Sequence, residues 1–164
     1  MKKLLLMIMF SIPATSFAGW GVGGTMNTIE ADTGYGDVDF QIPTIHGAYE
    51  SRTDNLAYQI KLGIGLTDDS DKDDDGDAYD FEVNNILQIK GMYYMSENIY
   101  AAVAYTRLDT DVYVSWEDET YSGGDNDLGF LIGYRNNNLD LYFGPSYDED
   151  DAKIFEFGFT YFMD

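Results

Sequence analysis

The chain has 164 residues, of which 45% are hydrophobic and 24% are charged, and its mean hydropathy is −0.30. This composition suits a single compact domain. Thirty acidic residues against nine lysines and arginines give a formal net charge of −21, which repels phosphate backbones and so excludes nucleic-acid binding. Cysteine is absent, so no disulfide framework stabilises the fold.

The first 18 residues have the pattern of a cleaved secretory signal peptide. Lys2 and Lys3 precede the apolar run Leu4–Phe10, and Ser16-Phe17-Ala18 forms a small-x-small cleavage site. A membrane-spanning helix needs about 20 apolar residues, and polar residues interrupt this run too early. We therefore predict that residues 1–18 are a signal peptide and that residues 19–164 form the mature domain.

From Gly19 onward the hydropathy pattern repeats every two residues, which indicates strands. Apolar positions between Leu56 and Leu66 alternate with small and polar ones, and the same holds for Leu139–Tyr147 and Phe155–Met163. The pattern predicts eight strands, at residues 19–29, 38–50, 55–67, 78–95, 99–115, 126–135, 139–147 and 153–163. Pro43 is expected to introduce a bulge in the second of them.

The connections between these strands alternate in length. Tight turns at 51–54, 96–98 and 136–138 contrast with longer acidic segments around 30–37, 68–77, 116–125 and 148–152. An up-and-down barrel with both termini at one end has three short turns there and four longer loops at the other end, as in bacterial outer-membrane barrels. The predicted fold class is therefore all-β, an eight-stranded antiparallel up-and-down transmembrane β-barrel.

The polar stripe of the strands indicates which face meets lipid. It is rich in glycine and small residues, which suit the narrow interior of an eight-stranded barrel, so the apolar stripe should face lipid. Charges inside such a barrel must pair. We therefore predict a network of lumenal ion pairs that plugs the barrel, formed by Lys61, Lys90, Arg107, Arg135, Asp140 and Glu156. A narrow gated pore is the alternative.

Tyrosines near the strand ends predict two aromatic girdles, one at each edge of the lipid-facing belt. The girdle near the short turns would contain Tyr58, Tyr93, Tyr100, Tyr134 and Tyr161, and the girdle near the long connections Tyr79, Tyr113 and Tyr147.

Two consecutive strands carry a family resemblance. The segment Leu87–Tyr94, followed by Ser96–Arg107, resembles a hairpin of the small Gram-negative outer-membrane β-barrel proteins, the porin-family proteins that include OmpX-like and OmpA-like barrels. The closing strand Lys153–Phe162 fits the same family. The resemblance implies an outer-membrane location, with long loops outside the cell and termini in the periplasm. It also implies contact with outer-membrane lipid and lipopolysaccharide, and with the barrel-assembly machinery during biogenesis, by a protein expected to be monomeric.

The second long connection contains a candidate calcium motif. Asp71, Asp73, Asp75 and Gly76, with Glu82 further on, satisfy the written spacing of an EF-hand loop. The flanking segments are predicted strands, however, whereas an EF-hand needs helices. We therefore expect at most weak calcium binding, by Asp71, Asp73, Asp75 and Asp77, and no other cofactor. The alternative is a solvated acidic tract.

Candidate catalytic chemistry is sparse. His46 is the only histidine, and no serine, base and acid set accompanies it in the pattern. We therefore expect no enzyme activity, and a lipid-modifying outer-membrane enzyme is the most distant alternative. The predicted function is a structural or surface-interaction role with acidic extracellular loops, and the narrow pore is the second possibility.

Overall fold

The structure is a computed structural model that describes residues 17–32, 36–115, 117–147 and 153–163. Residues 1–16 of the expected signal peptide lie outside these ranges, so its cleavage stays a prediction. The described residues form nine strands, namely β1 (Phe17–Asp32), β2 (Asp37–Thr53), β3 (Leu56–Gly65), β4 (Asp69–Lys72), β5 (Ala78–Tyr94), β6 (Ile99–Val114), β7 (Glu119–Asn136), β8 (Leu139–Tyr147) and β9 (Lys153–Met163). They contain no helix long and apolar enough to cross a membrane.

Eight of the strands close into a ring. The order along the sheet is β3-β2-β1-β9-β8-β7-β6-β5, and β3 pairs with β5 to join the two ends. All pairings are antiparallel, and β9 pairs with both β1 and β8. The fold is therefore an eight-stranded antiparallel up-and-down barrel, which confirms the predicted fold class.

The short strand β4 was not predicted, and it is not one of the eight strands that form the closed ring. β3 leaves the barrel wall after Gly65, and β4 then pairs with the outer part of β5. On its other side β4 meets β2 through side chains, because the carboxylates of Asp69 and Asp71 accept hydrogen bonds from the backbone N–H groups of Gln41 (2.7 Å) and Asp39 (2.8 Å). Acidic residues assigned to a loop thus hold the outer end of the wall together.

Two further expectations about the strands are corrected. β7 begins at Glu119, seven residues before the predicted start, because its outer part pairs with β6 along the whole stretch from Glu119 to Tyr134. Pro43 introduces no bulge, since β1 and β2 pair without interruption through the Met26–Pro43 position. The register shift in the barrel lies instead on β5, between Val83 and Asn85.

The apolar stripe faces outward, as predicted. Leu62 is 65% exposed and Phe157 is 56% exposed, whereas Gln59, Lys90 and Asp140 on the opposite face are fully buried. Alternation of this kind around a closed ring gives an apolar belt outside and a polar lumen inside. This is the arrangement of a transmembrane barrel, whose exterior must match hydrocarbon.

Two of the predicted girdle tyrosines lie inside the barrel. Tyr100 is fully buried, since it shares the inward face of β6 with Ala102 and Ala104. Tyr79 points inward because the register shift between it and the rest of β5 reverses the alternation of inward and outward residues. Tyr93, Tyr134, Tyr147 and Tyr161 are about half exposed on the outer wall, where girdle residues belong; the remaining two, Tyr58 and Tyr113, are partly exposed.

Inward glycines make room for inward tyrosines. A Cβ at Gly133 would collide with the ring of Tyr100, and a Cβ at Gly158 would collide with the ring of Tyr142. The rings lie flat against the neighbouring strand only because that strand has no side chain there. At these two positions glycine allows the close approach of an aromatic ring, and a larger residue would push the ring out of place.

We predict that Leu62→Arg destabilises the membrane-embedded barrel by about 2–4 kcal/mol, if its position lies near the bilayer midplane, because a guanidinium replaces an alkyl group against hydrocarbon. Urea titration of the protein in phospholipid vesicles, followed by tryptophan fluorescence, measures the change. Glu97→Arg, at the exposed turn between β5 and β6, introduces the same side chain outside the belt and should leave the free energy of unfolding nearly unchanged. Equal effects of both substitutions would contradict a lipid-facing Leu62.

Candidate functional site: the filled lumen and the outer end of the barrel

Three buried ion pairs cross the lumen. Lys61 Nζ lies 3.5 Å from Glu156 Oε1, Lys90 Nζ lies 3.3 Å from Asp140 Oδ2, and Arg135 Nη1 lies 3.5 Å from Glu50 Oε2. Five of the six residues expected in the lumenal network are therefore inside the barrel and paired. Glu50 is a partner that the sequence pattern did not identify.

The pair formed by Lys90 and Asp140 is extended by tyrosines. Lys90 Nζ donates to Tyr100 Oη (3.1 Å) as well as to Asp140, and Tyr100 Oη donates to Asp140 Oδ1 at 2.7 Å. The ammonium group also lies 4.3 Å from the centre of the Tyr142 ring. A buried charge is tolerated only with such compensation, so these four side chains act as one unit.

A second unit lies around Glu156. Lys61 donates to Glu156 Oε1, and Gln88 Nε2 donates to Glu156 Oε2 at 3.0 Å. Lys61 Nζ also lies 3.6 Å from the centre of the Tyr142 ring, which places that ring between the two lysines. Beside this unit is a polar cavity of about 30 Å³, which has room for about two water molecules.

Arg107 is not part of the lumenal network, so this expectation is wrong. Its side chain is 53% exposed on the outer wall, and its Nε lies 3.3 Å from Oδ1 of the equally exposed Asp109. The reason is the unbroken alternation of β6, in which Ala104, Thr106 and Leu108 point inward and the residue between the last two must point outward. The charge of Arg107 suggested a lumenal position, but its place in the alternation of β6 puts its side chain on the outer wall.

The outer part of the lumen is apolar, which the sequence analysis missed. A cluster of buried hydrophobic residues fills it near the long connections, formed by Ile29, Val38, Phe40, Ile42, Tyr79, Val83, Leu108, Val114 and Ile154. Phe40 stacks on Phe81 with ring centres 5.1 Å apart. The signal was available in β2, because Val38, Phe40 and Ile42 alternate in step with the lumenal Glu50. The barrel is thus closed by a hydrophobic plug above a polar one.

His46 is a lumenal residue. Its Nε2 lies 2.9 Å from Thr160 Oγ1, and Thr44 is inward on the same strand. The pair contains no carboxylate partner for the imidazole, so it gives no support to a catalytic arrangement. The geometry is that of a polar residue with its hydrogen bond satisfied in a packed lumen.

The aspartates of the candidate calcium motif hold backbone instead of converging. Asp73 Oδ1 accepts from the N–H groups of Asp75 (3.1 Å) and Asp77 (3.0 Å), and Asp73 Oδ2 accepts from Tyr79 Oη. Asp71 binds β2, and the backbone N–H groups of Asp39 and Lys72 hold its pKa below the usual value. In the described ranges no three acidic or histidine side chains are grouped to hold a metal ion. Weak calcium binding stays a prediction.

These features define the class of molecule: a small transmembrane β-barrel with a filled lumen and a sheet that extends beyond its apolar belt. Among solved structures, the chain is similar to Ail, the attachment invasion locus protein of Yersinia pestis, with a TM-score of 0.59, 12% identity, and 89% of this chain and 97% of Ail covered. It is also similar to Neisserial surface protein A, with a TM-score of 0.56, 12% identity, and 90% and 99% covered.

No family model and no curated protein matches the chain. The likeness to Ail and to Neisserial surface protein A, at 12% identity, is therefore a likeness of fold. It agrees with the resemblance to small outer-membrane barrels that the hairpin sequence indicates.

We predict that Lys90→Met destabilises the barrel by about 3–5 kcal/mol, because it leaves Asp140 buried without its cation. The double variant Lys90→Met, Asp140→Leu should recover most of this loss, since both charges are then removed. Urea unfolding in vesicles gives the four free energies of the double-mutant cycle. Lys153→Met is the matched control, because its partner Glu30 is in an exposed pair (2.9 Å), and it should change little. Equal losses at positions 90 and 153 would contradict a buried pair.

The plugged lumen also predicts that the protein conducts no ions. Rings and ion pairs fill the polar part and hydrophobic side chains fill the outer part, so no continuous water path is expected. In planar lipid bilayers the protein should give no reproducible conductance steps, whereas a large porin inserted in the same membrane reports that the assay works. Steady unitary steps from the purified protein would support the narrow-pore alternative instead.

Proposed function

We propose that this protein is an outer-membrane barrel with a structural or surface-interaction role that requires neither catalysis nor conduction. The apolar belt supports the membrane location, and the packed lumen argues for a rigid anchor. The fold likeness to Ail and to Neisserial surface protein A supports the same placement. In this proposal the long connections face outside the cell, the termini face the periplasm, and the barrel-assembly machinery inserts a monomer among outer-membrane lipids and lipopolysaccharide.

One observation supports the interaction role more than any other, and it concerns β7. Residues Glu119–Asp127 pair with β6, but pairing with β8 begins only at Leu128. Within the part of the chain that the structure describes, the other edge of β7 has no strand beside it from Glu119 to Gly124. Its residues from Glu119 to Gly124 are exposed. An exposed edge of this length can accept an extended segment of a partner by strand addition.

The charge of the same region limits the kind of partner. Glu117 accepts a hydrogen bond from Tyr121 and raises the pKa of that phenol to about 12, and Asp118 likewise raises the pKa of Tyr113. Both carboxylates are thereby held at the tip of the hairpin. Ail is also known in complex with the heparin analogue sucrose octasulfate. With a net charge of −21, this chain is unsuited to a polyanion, and we expect partners that are cationic or bridged by cations.

The absence of cysteine from the sequence allows a direct test of placement. We predict that Gly123→Cys, at the exposed β7 edge, reacts with a membrane-impermeant maleimide on intact Gram-negative cells. Glu97→Cys, in the short turn between β5 and β6, should react only after the outer membrane is permeabilised. The two positions lie at opposite ends of the barrel, so labelling efficiency on whole cells reports both insertion and orientation.

Labelling of Glu97→Cys but not Gly123→Cys on intact cells would reverse the proposed orientation. Recovery of both variants in the aqueous fraction would reject the membrane location. With placement established, cells that display a variant lacking residues 117–124 separate the two roles. Loss of surface attachment with an intact envelope assigns the role to the hairpin edge, whereas detergent sensitivity only when the whole protein is missing indicates a structural role.

A further inference from the structure

The outer wall has a groove whose floor is Gly47. This residue points outward from β2, and the space where its side chain would lie is open, because no described residue other than its two chain neighbours has a heavy atom within 4 Å of an ideal Cβ. Its cross-strand neighbours are Val22 on β1 and Leu62 on β3. A missing side chain between two apolar ones makes a furrow in the apolar belt.

The groove is large and mostly apolar. Its volume is about 890 Å³, within the range of about 300–1,000 Å³ usual for ligand pockets. Ile45, Ile64 and Phe159 form its walls, and each is about half exposed. Such a surface fits an alkyl chain, since it offers apolar contact without hydrogen-bonding groups.

The register of the strands places the residues that line the groove at different heights on the barrel. One row of outward residues crosses five pairings, in the order Tyr161, Val22, Gly47, Leu62, Leu87 and Arg107. Tyr161 is two residues from the end of β9, whereas Arg107 is eight residues from the start of β6. Both strand ends lie at the short-turn end of the barrel. The row therefore climbs about 20 Å along the strands, which is about 15 Å along the barrel axis for strands tilted by about 40°, more than half the height of an apolar belt.

A guanidinium stands at the upper end of this row. Arg107 is among the residues that line the groove, and its side chain is half exposed. Asp109 accepts a hydrogen bond from Nε, at one edge of the group, and a guanidinium carries further N–H donors at its other edge. Those donors have the geometry that binds phosphate oxygens in pairs. The same groove thus offers apolar surface for an alkyl chain and N–H donors for an anionic group.

From this arrangement we propose that the Gly47 groove binds a phosphorylated, acylated lipid of the surrounding membrane, with an acyl chain in the furrow and the phosphate on Arg107. The proposal rests on the membrane location proposed above. It assigns to Arg107 a role outside the lumen, at the level where the belt ends and lipid headgroups begin. Arginine is suited to this level because its alkyl stem lies along apolar surface while its charge reaches the interface.

The chain offers an internal control for this groove. A second groove on the outer wall, of about 1070 Å³, includes another outward glycine of the belt, Gly91, between Tyr58 and Val103. Among the residues that the structure describes, those that line it carry no charge. Filling either groove introduces the same apolar side chain at an outward glycine, so the two substitutions differ only in the site they occupy.

Native mass spectrometry of the protein in phosphatidylcholine nanodiscs tests the proposal. The probes are dipalmitoyl phosphatidic acid and dipalmitoylglycerol, which share acyl chains and differ in the phosphate. The wild-type protein should retain dipalmitoyl phosphatidic acid about tenfold more than dipalmitoylglycerol. Arg107→Gln should abolish this preference, a loss of about 1.4 kcal/mol. Gly47→Leu should reduce retention of both lipids, and Gly91→Leu should leave the preference unchanged.

Three results would overturn the proposal. Arg107→Gln could keep the preference, Gly91→Leu could reduce retention as much as Gly47→Leu, or soluble glycerol phosphate at equal concentration could displace the phosphatidic acid, which would indicate a simple phosphate site. Folding of each variant is checked by its heat-dependent shift in gel mobility. If a protein that inserts into nanodiscs shows no lipid preference, the groove proposal alone is rejected. If the protein fails to enter nanodiscs, the proposed membrane location is rejected as well.

Discussion

The narrow, closed lumen imposes the constraint on which the rest of the structure depends. Eight strands enclose a space so small that an inward charge meets side chains and almost no water. Lys90 and Asp140, both fully buried, therefore need each other and the hydroxyl of Tyr100. The tyrosine in turn needs the bare backbone of Gly133. Charges, rings and glycines inside this barrel are parts of one packing solution, and none of them can be changed alone.

The lumen changes character along its length, and this has a functional consequence. Ion pairs and polar groups fill the part near the short turns, and a hydrophobic cluster fills the part near the long connections. Because two plugs of different chemistry lie in series, we expect a rigid cylinder without an open water path. A rigid cylinder supports whatever extends from its outer end, here the sheet of β4, β5, β6 and β7. The interest of the molecule therefore lies on its outer surfaces, which are the acidic hairpin edge and the furrow in the belt.

Position along a strand, more than residue type, decided which site predictions held. Lys61, Arg135 and Glu156 could be located from the sequence because they share a stripe with glycine and glutamine, and they lie inside. Arg107 was assigned to the same network by its charge, but it lies one step out of phase and faces the outer wall. The apolar filling of the outer lumen was missed for a related reason. Where both stripes of a strand are apolar, hydropathy cannot distinguish lumen from lipid, and only alternation from a known lumenal residue can.

The sequence by itself determined the period of two, the number of strands in the ring, their antiparallel order and the face that meets lipid. These follow from alternation and connection length, which are local properties of the chain. The tertiary structure alone decided that one extra residue on β5 turns Tyr79 inward, and that β4 takes the place of β3 beside β5. It also placed Arg107 in the same cross-strand row as Gly47, three strand pairings away. Registers between strands far apart in sequence depend on closure of the whole ring, and no local pattern encodes them.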